Sequence, residues 1–312
     1  MIYTTGSYAS SDGRSTIVYS LWEPETPARA VLQISHGMCE YVGRYAGFAE
    51  FLTAHGIAVA GNDHIGHGRS AATEDDLGFI PRDAGGDALV ADLFTLTGIL
   101  KERFPSLPYF LMGHSMGSFI ARLYLSAHGE GLDGAIIMGT GGPDNPTGIA
   151  KLMARADAAF HSPRHRSHFI NNIAFGSYAK HYGRGASPYD WLSRDEENKR
   201  RYAADPFCTF IFTADGFYTL FSMLSRVSDK RWPSTLPQAL PVLMVSGDDD
   251  PVGSYGRGVE KIYRRLLAAG MKDVTLKLYP DDRHEILNEV DRDKVMADIL
   301  AWIDARVLTA GN

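Results

Sequence analysis

A serine flanked by glycines lies where an apolar run gives way to a helical pattern. Residues 113–117 read GHSMG and match G-x-S-x-G. The apolar run 109–112 precedes the motif, and a helical pattern over 115–127 begins at its serine. A strand–turn–helix of this kind presents a serine hydroxyl above the edge of a sheet, and its glycines are needed because the turn is too tight for a Cβ. We therefore predict that Ser115 is a nucleophile.

A nucleophilic serine needs a general base, because its free hydroxyl is a weak nucleophile at neutral pH. His284 follows the strand pattern 274–279 and a short polar loop, so it lies beyond the carboxyl end of a strand. Ser115 is expected at the same edge of the sheet. His284 is therefore the predicted base.

An acid must accept the imidazole N–H, fix its tautomer and stabilise the imidazolium. Asp248, Asp249 and Asp250 follow the apolar run 243–247. The chain order serine, aspartate, histidine is typical of α/β-hydrolases. The spacing alone leaves all three aspartates open.

Acyl transfer also needs backbone donors for the developing oxyanion. The turn HGM at 36–38 ends an early buried strand. We predict that the amides of Met38 and of Met116, the residue after the serine, form the oxyanion hole.

These residues lie in a chain that alternates β-rich runs with helical patterns, which predicts the α/β class with a mostly parallel central sheet flanked by helices. Strands are predicted over 15–22, 30–35, 57–61, 109–112, 132–139, 241–245 and 274–279. Helices are predicted over 43–55, 87–104, 115–127, 255–269 and 291–307.

The alternation breaks between residues 140 and 236. This stretch holds 15 of the 34 Phe, Tyr and Trp residues of the chain, which a solvated linker would not. We predict a helical cap over 141–236, inserted into a core of 1–140 and 237–312. The cap either covers a ligand pocket, the reading we favour, or is an ordinary small helical core.

Composition excludes several classes of protein. The 312 residues are 45% hydrophobic and 22% charged, as in globular proteins, and no run approaches the length of a membrane span. A net charge of −6 argues against nucleic-acid binding. The first residues lack a signal-peptide pattern, and two cysteines, Cys39 and Cys208, suit a reducing compartment, so a cytoplasmic location is expected.

Together, the motifs resemble those of the monoacylglycerol lipase and bacterial lysophospholipase group of the α/β-hydrolases. They are HGM at 36–38 with Glu40 and RY at 44–45, DHIGHGRS at 63–70, GHSMG at 113–117, GDDD at 247–250 and HE at 284–285. The resemblance implies that Asp250 is the triad acid. It also implies that the Gly-His-Gly loop positions the oxyanion turn, so His64 and His67 are not expected to bind a metal.

The predicted reaction is hydrolysis of carboxylic esters with an apolar acyl group through an acyl-enzyme. It requires no metal or organic cofactor, because Ser115, Asp250 and His284 supply the chemistry. His161, His165 and His168 are spaced like metal ligands on one face of a helix, but Pro163 and several nearby arginines favour a solvated loop, which is what we expect. Five cap phenylalanines are expected to bind substrate: Phe207, Phe210, Phe212, Phe217 and Phe221.

The expected partner is a small ester or lipid, with transient contact between the cap and a membrane surface; the sequence predicts no oligomeric state. An aminopeptidase or amidase with the same triad, a small aryl-ester carboxylesterase and a binding protein without turnover are the alternatives. The aminopeptidase would need an acidic patch, for which the cap offers Asp190, Asp195, Glu196 and Glu197. A haloalkane dehalogenase is excluded because its nucleophile is a carboxylate.

Overall fold

The computed structural model describes residues 1–310, with side chains up to residue 308. These residues form an eight-stranded sheet of order β1-β2-β4-β3-β5-β6-β7-β8, in which β3 to β8 are parallel and β2 pairs antiparallel with both β1 and β4. The strands are β1 Ile2–Ala9, β2 Thr16–Glu23, β3 Ala30–Ser35, β4 Ile57–Asn62, β5 Tyr109–His114, β6 Gly134–Met138, β7 Val242–Gly247 and β8 Val274–Tyr279. The predicted fold class is confirmed.

Helices cover both faces of the sheet. Their bounds are α1 Ala46–Ala54, α2 Gly85–Arg103, α3 Met116–His128, α4 Thr147–Phe160, α5 His168–Phe175, α6 Glu196–Ala204, α7 Ala214–Ser228, α8 Arg257–Ala268 and α9 Arg292–Ala310. Helices α1 and α9 pack on one face, and α2, α3 and α8 pack on the other. Strands β3 to β7 are buried at every position, which explains why their sequences are apolar without alternation.

The first strand was not predicted from the sequence. Strand β1 is mostly exposed and pairs by its backbone along the full length of β2 at the edge of the sheet. An edge strand with little buried surface leaves no apolar pattern in the sequence. Its pairing is therefore visible only in three dimensions.

The segment between β6 and β7 contains helices α4 to α7. Helix α7 packs against α4 and also against α3, so its buried residues Phe217 and Leu220 belong to the same apolar cluster as Ile120 of α3. The division into a core and a 141–236 cap stays a prediction. Within residues 1–310, no helix is both long and apolar enough to span a membrane.

Candidate active site

Ser115 lies in the tight turn between β5 and α3. Its backbone has φ 52° and ψ −121°, a left-handed conformation that is unfavourable for a residue with a Cβ. The turn fits because Gly117 lies against the backbone of β3, where an added Cβ would lie 2.0 Å from the carbonyl oxygen of Ser35. The side chain of Ser115 is thereby held at the carboxyl end of the sheet.

His284 and Asp250 are hydrogen-bonded to each other. The Nδ1–H of His284 donates to Oδ2 of Asp250 at 2.9 Å, and both side chains are almost fully buried. The other carboxylate oxygen, Oδ1, accepts the N–H of Val252 at 2.8 Å, which fixes the plane of the carboxylate. Nδ1 is thereby used on Asp250, and His284 and Ser115 line the same cavity.

The three consecutive aspartates have different partners. Asp248 accepts the backbone N–H of Asp281 at 2.8 Å. Asp249 is hydrogen-bonded to His181 at 3.1 Å at the protein surface. Asp250 is the member of the run whose carboxylate meets His284.

Met38 and Met116 flank Ser115 on the cavity wall. Met116 is the first residue of α3, where backbone N–H groups have no partner within the helix. Neither its N–H nor that of Met38 reaches a backbone acceptor within residues 1–310. Both N–H groups are therefore available to a bound oxyanion.

A buried ion pair braces the turn that carries Met38. The carboxylate of Glu40 accepts hydrogen bonds from the N–H of Gly37, from the hydroxyl of Tyr45 at 2.9 Å and from Nδ1–H of His114 at 2.9 Å. The other ring nitrogen of His114 donates to the carbonyl of His284 at 3.2 Å. One imidazole thus joins the oxyanion turn to the loop of the predicted base.

The ionisation states of Glu40 and His114 favour this buried ion pair. Burial alone raises the pKa of Glu40, but the neighbouring His114 and Arg44 outweigh it and hold the pKa below its ordinary value. Burial alone lowers the pKa of His114, but Glu40 outweighs it and raises the pKa above 6.5. No role for His114 was predicted from the sequence, because the variable positions of G-x-S-x-G accept many residues.

Arg44 and Glu285 extend the buried network towards the cap. Two nitrogens of Arg44 donate to the two carboxylate oxygens of Glu285 at 2.5 and 2.8 Å, and Asn198 of α6 donates to the same carboxylate at 2.8 Å. Burial raises the pKa of Glu285, but Arg44 outweighs it, so the pKa lies below its ordinary value. A carboxylate next to His284 is therefore charged and fully paired.

The histidines near the oxyanion turn are buried against one another. His36 Nε2 accepts the N–H of His64 at 2.9 Å, and Ser35 is hydrogen-bonded to the ring of His64 at 3.1 Å. Burial lowers the pKa of His36 to about 4 and that of His67 to about 3, so both rings are neutral at pH 7. Their contacts brace the loops beside the site.

A cavity of about 660 Å³ opens onto Ser115 and His284. Its wall combines Met38 and Met116 with mainly apolar residues of the segment between β6 and β7. These include Ala150, Met153, Ile170, Ile173, Phe175, Phe210, Leu220, Phe221 and Leu224. A volume and a lining of this kind are typical of a small-molecule pocket.

Only two of the five predicted phenylalanines lie on this wall, namely Phe210 and Phe221. Phe212 and Phe217 are fully buried and pack on each other with ring centroids 5.8 Å apart, and Phe207 packs on Tyr41. For these three residues the expectation of a pocket position is corrected. The aromatic content of the segment serves its own packing as well as the cavity, and composition does not separate the two.

The acidic residues that an aminopeptidase would need are paired elsewhere. Asp190 and Glu196 bind Lys199, Glu197 binds Arg200, and Asp195 caps α6 and binds Arg292. None of the four lines the cavity described above. Glu196 and Glu197 lie on the exposed face of α6, as the alternative interpretation expected, whereas Asp190 and Asp195 lie before the helix and are mostly buried.

Trp191 is a further residue at the site that no sequence motif predicted. Its ring lies 5.1 Å from that of His284, and its carbonyl accepts the N–H of His284 at 3.3 Å. Trp191 lies far from His284 in the chain and in no motif. The only signal was the rarity of tryptophan, of which the chain has four.

The parallel sheet, the strained serine turn and the histidine–aspartate pair define a serine hydrolase of the α/β-hydrolase class. Over residues 26–291 the chain matches the family described as serine aminopeptidase, S33 (Hydrolase_4), and it belongs to that family.

Its relatives are mainly ester hydrolases. The chain is 29% identical to the monoacylglycerol lipase of Mycolicibacterium smegmatis over 93% of its own length and 94% of the relative's. It is 25% identical to human monoglyceride lipase over 93% and 88% of the two lengths. A thermostable carboxyl esterase of Bacillus coagulans, solved in complex with glycerol, superimposes with a TM-score of 0.92 and 31% identity, covering 98% and 99% of the two chains. The predicted resemblance is confirmed: the chain is a serine ester hydrolase, and the aminopeptidase alternative is not favoured.

Proposed function

We propose that this protein hydrolyses carboxylic esters with an apolar acyl group, of the monoacylglycerol or lysophospholipid type. The observation that carries the proposal is the apolar cavity of about 660 Å³ that opens directly onto Ser115. The relatives named monoacylglycerol lipase, and the esterase solved with glycerol, support a glycerol-type alcohol.

In the proposed reaction, Oγ of Ser115 attacks the ester carbonyl while Nε2 of His284 takes the serine proton. The carbonyl π electrons move to oxygen, and the amides of Met38 and Met116 stabilise the negative charge. Collapse of the tetrahedral intermediate breaks the bond to the alcohol, which takes the proton from His284. Water then releases the acid from the acyl-enzyme by the same steps, and Asp250 stabilises the imidazolium in each.

A panel of p-nitrophenyl esters from acetate to palmitate tests the acyl preference. We expect kcat/KM to climb from acetate to a medium chain, because each buried CH₂ contributes ~0.8 kcal/mol to binding. The part of this free energy that is realised in the transition state appears in kcat/KM. Phe210→Ala and Phe221→Ala should flatten this climb. Phe94→Ala, at an exposed position on α2, is the matched control and should not.

A wild-type profile that peaks at acetate would contradict the apolar acyl group and leave a small aryl-ester carboxylesterase. Parallel assays with monoacylglycerol, lysophosphatidylcholine and aminoacyl anilides define the alcohol side. Faster turnover of the anilides than of every ester would reverse the proposal in favour of an aminopeptidase.

Transient contact with a lipid surface is part of the proposal. Helices α4 and α5 expose apolar side chains beside the cavity: Ile149, Leu152, Phe160, Phe169 and Ile173. Ile149, Leu152 and Phe160 lie on one face of α4, and Ile173 also lines the cavity. A stripe of this kind inserts shallowly into the boundary between headgroups and acyl chains.

Co-sedimentation with phosphatidylcholine vesicles tests the lipid contact. Leu152→Asp and Phe160→Asp should reduce the bound fraction and leave hydrolysis of a water-soluble ester unchanged. Phe94→Asp, which changes an exposed phenylalanine on α2, is the control. Equal vesicle binding by all the variants would refute the role of this stripe.

The cap boundaries 141–236 and a cytoplasmic location complete the proposal. Both cysteines are free and buried, which suits a reducing compartment. Fractionation of the native cells tests the location, and recovery of the protein with the extracellular fraction would contradict it.

A further inference from the structure

Two histidines of the segment expected as a solvated loop meet one carboxylate at the end of α4. His165 Nδ1 lies 2.9 Å from Oδ2 of Asp157, and His161 Nδ1 lies 3.2 Å from Oδ1 of the same residue. The two imidazole rings stack with centroids 4.3 Å apart. His168 begins α5 and is not part of this cluster.

We propose that Asp157, His161 and His165 form a binding site for a late first-row divalent cation such as Zn²⁺, separate from the catalytic site. One ligand atom from each of the three residues lies within 4.8 Å of the other two. Zinc binds imidazole nitrogen and carboxylate oxygen at about 2.0–2.2 Å, so two ligands in a tetrahedral site are about 3.4 Å apart. The observed separations of 2.9 and 3.2 Å need only small adjustments to admit an ion.

The backbone holds the ligands in place without the ion. Asp157 lies in the last turn of α4, and the N–H of His161 donates to its carbonyl at 3.0 Å. After Pro163 the chain turns back, and the carbonyls of Pro163 and His165 accept N–H groups of the first turn of α7 at 3.1 and 2.9 Å. Asp157 on α4 and the two histidines of the loop that follows are therefore held in place by backbone hydrogen bonds on both sides.

The arginines of this segment turn away from the cluster. Arg164 pairs with Asp76 and stacks on the ring of Phe79 at 3.9 Å. Arg166 donates to the carbonyls of Leu77 and Ile211 at 2.8 Å. Their positive charges are thus used on the neighbouring loop.

Histidine binds a metal ion as the neutral imidazole. Nδ1 of His165 is hydrogen-bonded to Oδ2 of Asp157 at 2.9 Å. When the metal takes Nδ1 of either histidine, the proton of that ring lies on Nε2. The side chains of His161 and His165 are 57% and 39% exposed, so solvent can accept at Nε2 and complete the coordination. Imidazole ligands favour zinc, cobalt and nickel over magnesium and calcium.

Metal binding would link two parts of the fold. The ion joins the end of α4 to the loop that is hydrogen-bonded to the start of α7. Helix α4 supplies Ala150 and Met153 to the cavity wall. Metal binding is therefore expected to stabilise one side of the cap without touching the reacting atoms.

Isothermal titration of the chelator-treated full chain with ZnCl₂ tests the proposal, together with Co²⁺ binding followed by its visible absorption. We expect one ion per chain and a higher melting temperature in the presence of Zn²⁺. Mg²⁺ and Ca²⁺ should give no saturable binding. Ester hydrolysis should persist after chelation, so failure of this site is distinguishable from failure of the proposed function.

His161→Ala, His165→Ala and Asp157→Asn should each weaken Zn²⁺ binding by more than ~10-fold, since loss of even an outer-shell partner costs 10–100-fold. His168→Ala is the matched control and should bind as the wild type does. Circular dichroism of each metal-free variant establishes that it is folded. Absence of saturable Zn²⁺ binding by the wild type, or unchanged binding by all three cluster variants, would overturn the proposal.

Discussion

Replacing Asp250 with asparagine is expected to lower kcat by ~10³–10⁴ while the fold is retained. The reason lies in the two oxygens of the carboxylate, each of which accepts a hydrogen bond. Oδ2 accepts from Nδ1 of His284 at 2.9 Å, and Oδ1 accepts from the N–H of Val252 at 2.8 Å. An asparagine has one oxygen for these two donors.

Either orientation of the amide is unfavourable. If its oxygen stays with Val252, its NH₂ group faces His284 and stabilises the tautomer with the proton on Nε2, which is unable to accept the proton of Ser115. If the oxygen faces His284, the NH₂ group meets the N–H of Val252, and an unsatisfied buried donor costs ~1–3 kcal/mol. The competent orientation is then ~5- to 150-fold less populated, at 1.36 kcal/mol per decade.

Loss of the charge that stabilises the imidazolium adds to this factor and brings the total towards the ~10⁴ known for such a substitution in serine proteases. Initial rates with a p-nitrophenyl ester, from pH 6 to 9, measure it. Asp248→Asn and Asp249→Asn are the matched controls, because their carboxylates meet Asp281 and His181 instead. A kcat of Asp250→Asn within tenfold of the wild type, or an equally severe loss in Asp249→Asn, would refute the reasoning.

Other variants test the nucleophile, the serine turn and a second carboxyl group. Ser115→Ala should abolish labelling by a fluorophosphonate probe and leave the melting temperature nearly unchanged; wild-type labelling in this variant would contradict the assignment of the nucleophile. Gly117→Ala should lower both the melting temperature and kcat/KM, because its Cβ would lie 2.0 Å from the carbonyl oxygen of Ser35 on a backbone that has no room to shift. Burial, followed by the neighbouring Asp291, raises the pKa of Asp282 from 3.8 to about 7. The protonated carboxyl group therefore contributes fully to the free energy of unfolding below about pH 4, and this contribution is lost as the pH rises through about 7. Asp282→Asn should therefore remove a fall in melting temperature over that range, and an identical pH dependence in the variant would count against it.

The arrangement of the active site was only partly visible in the sequence. G-x-S-x-G between a strand and a helix predicted the position of Ser115, and strand ends predicted that His284 and an aspartate lie at the same edge. Spacing alone left three aspartates open, because consecutive residues in a loop point in different directions. The hydrogen bonds of Asp248, Asp249 and Asp250 to three different partners distinguish them.

Residues outside the motifs were harder to predict. Trp191 contacts His284 across 93 positions of the chain, and the buried pair of Glu40 and His114 joins a loop to the end of β5 across 74 positions. Contacts of this range depend on how the loops pack above the sheet. No local pattern encodes them.

The sequence by itself determined the local structure of this protein. Apolar runs buried on both sides become parallel strands, glycines permit the strained turn at Ser115, and periodic leucines form the helices that cover the sheet.

The tertiary structure decided what each aromatic and each histidine does. Phe210 faces the cavity and Phe212 the packed interior, although the two residues have the same chemistry and lie two positions apart. His161 meets Asp157 through the local i,i+4 spacing of a helix, whereas His165 meets it because the chain turns back after Pro163. Burial and partner choice depend on the chain segments that fold against a residue, and these come from distant parts of the sequence.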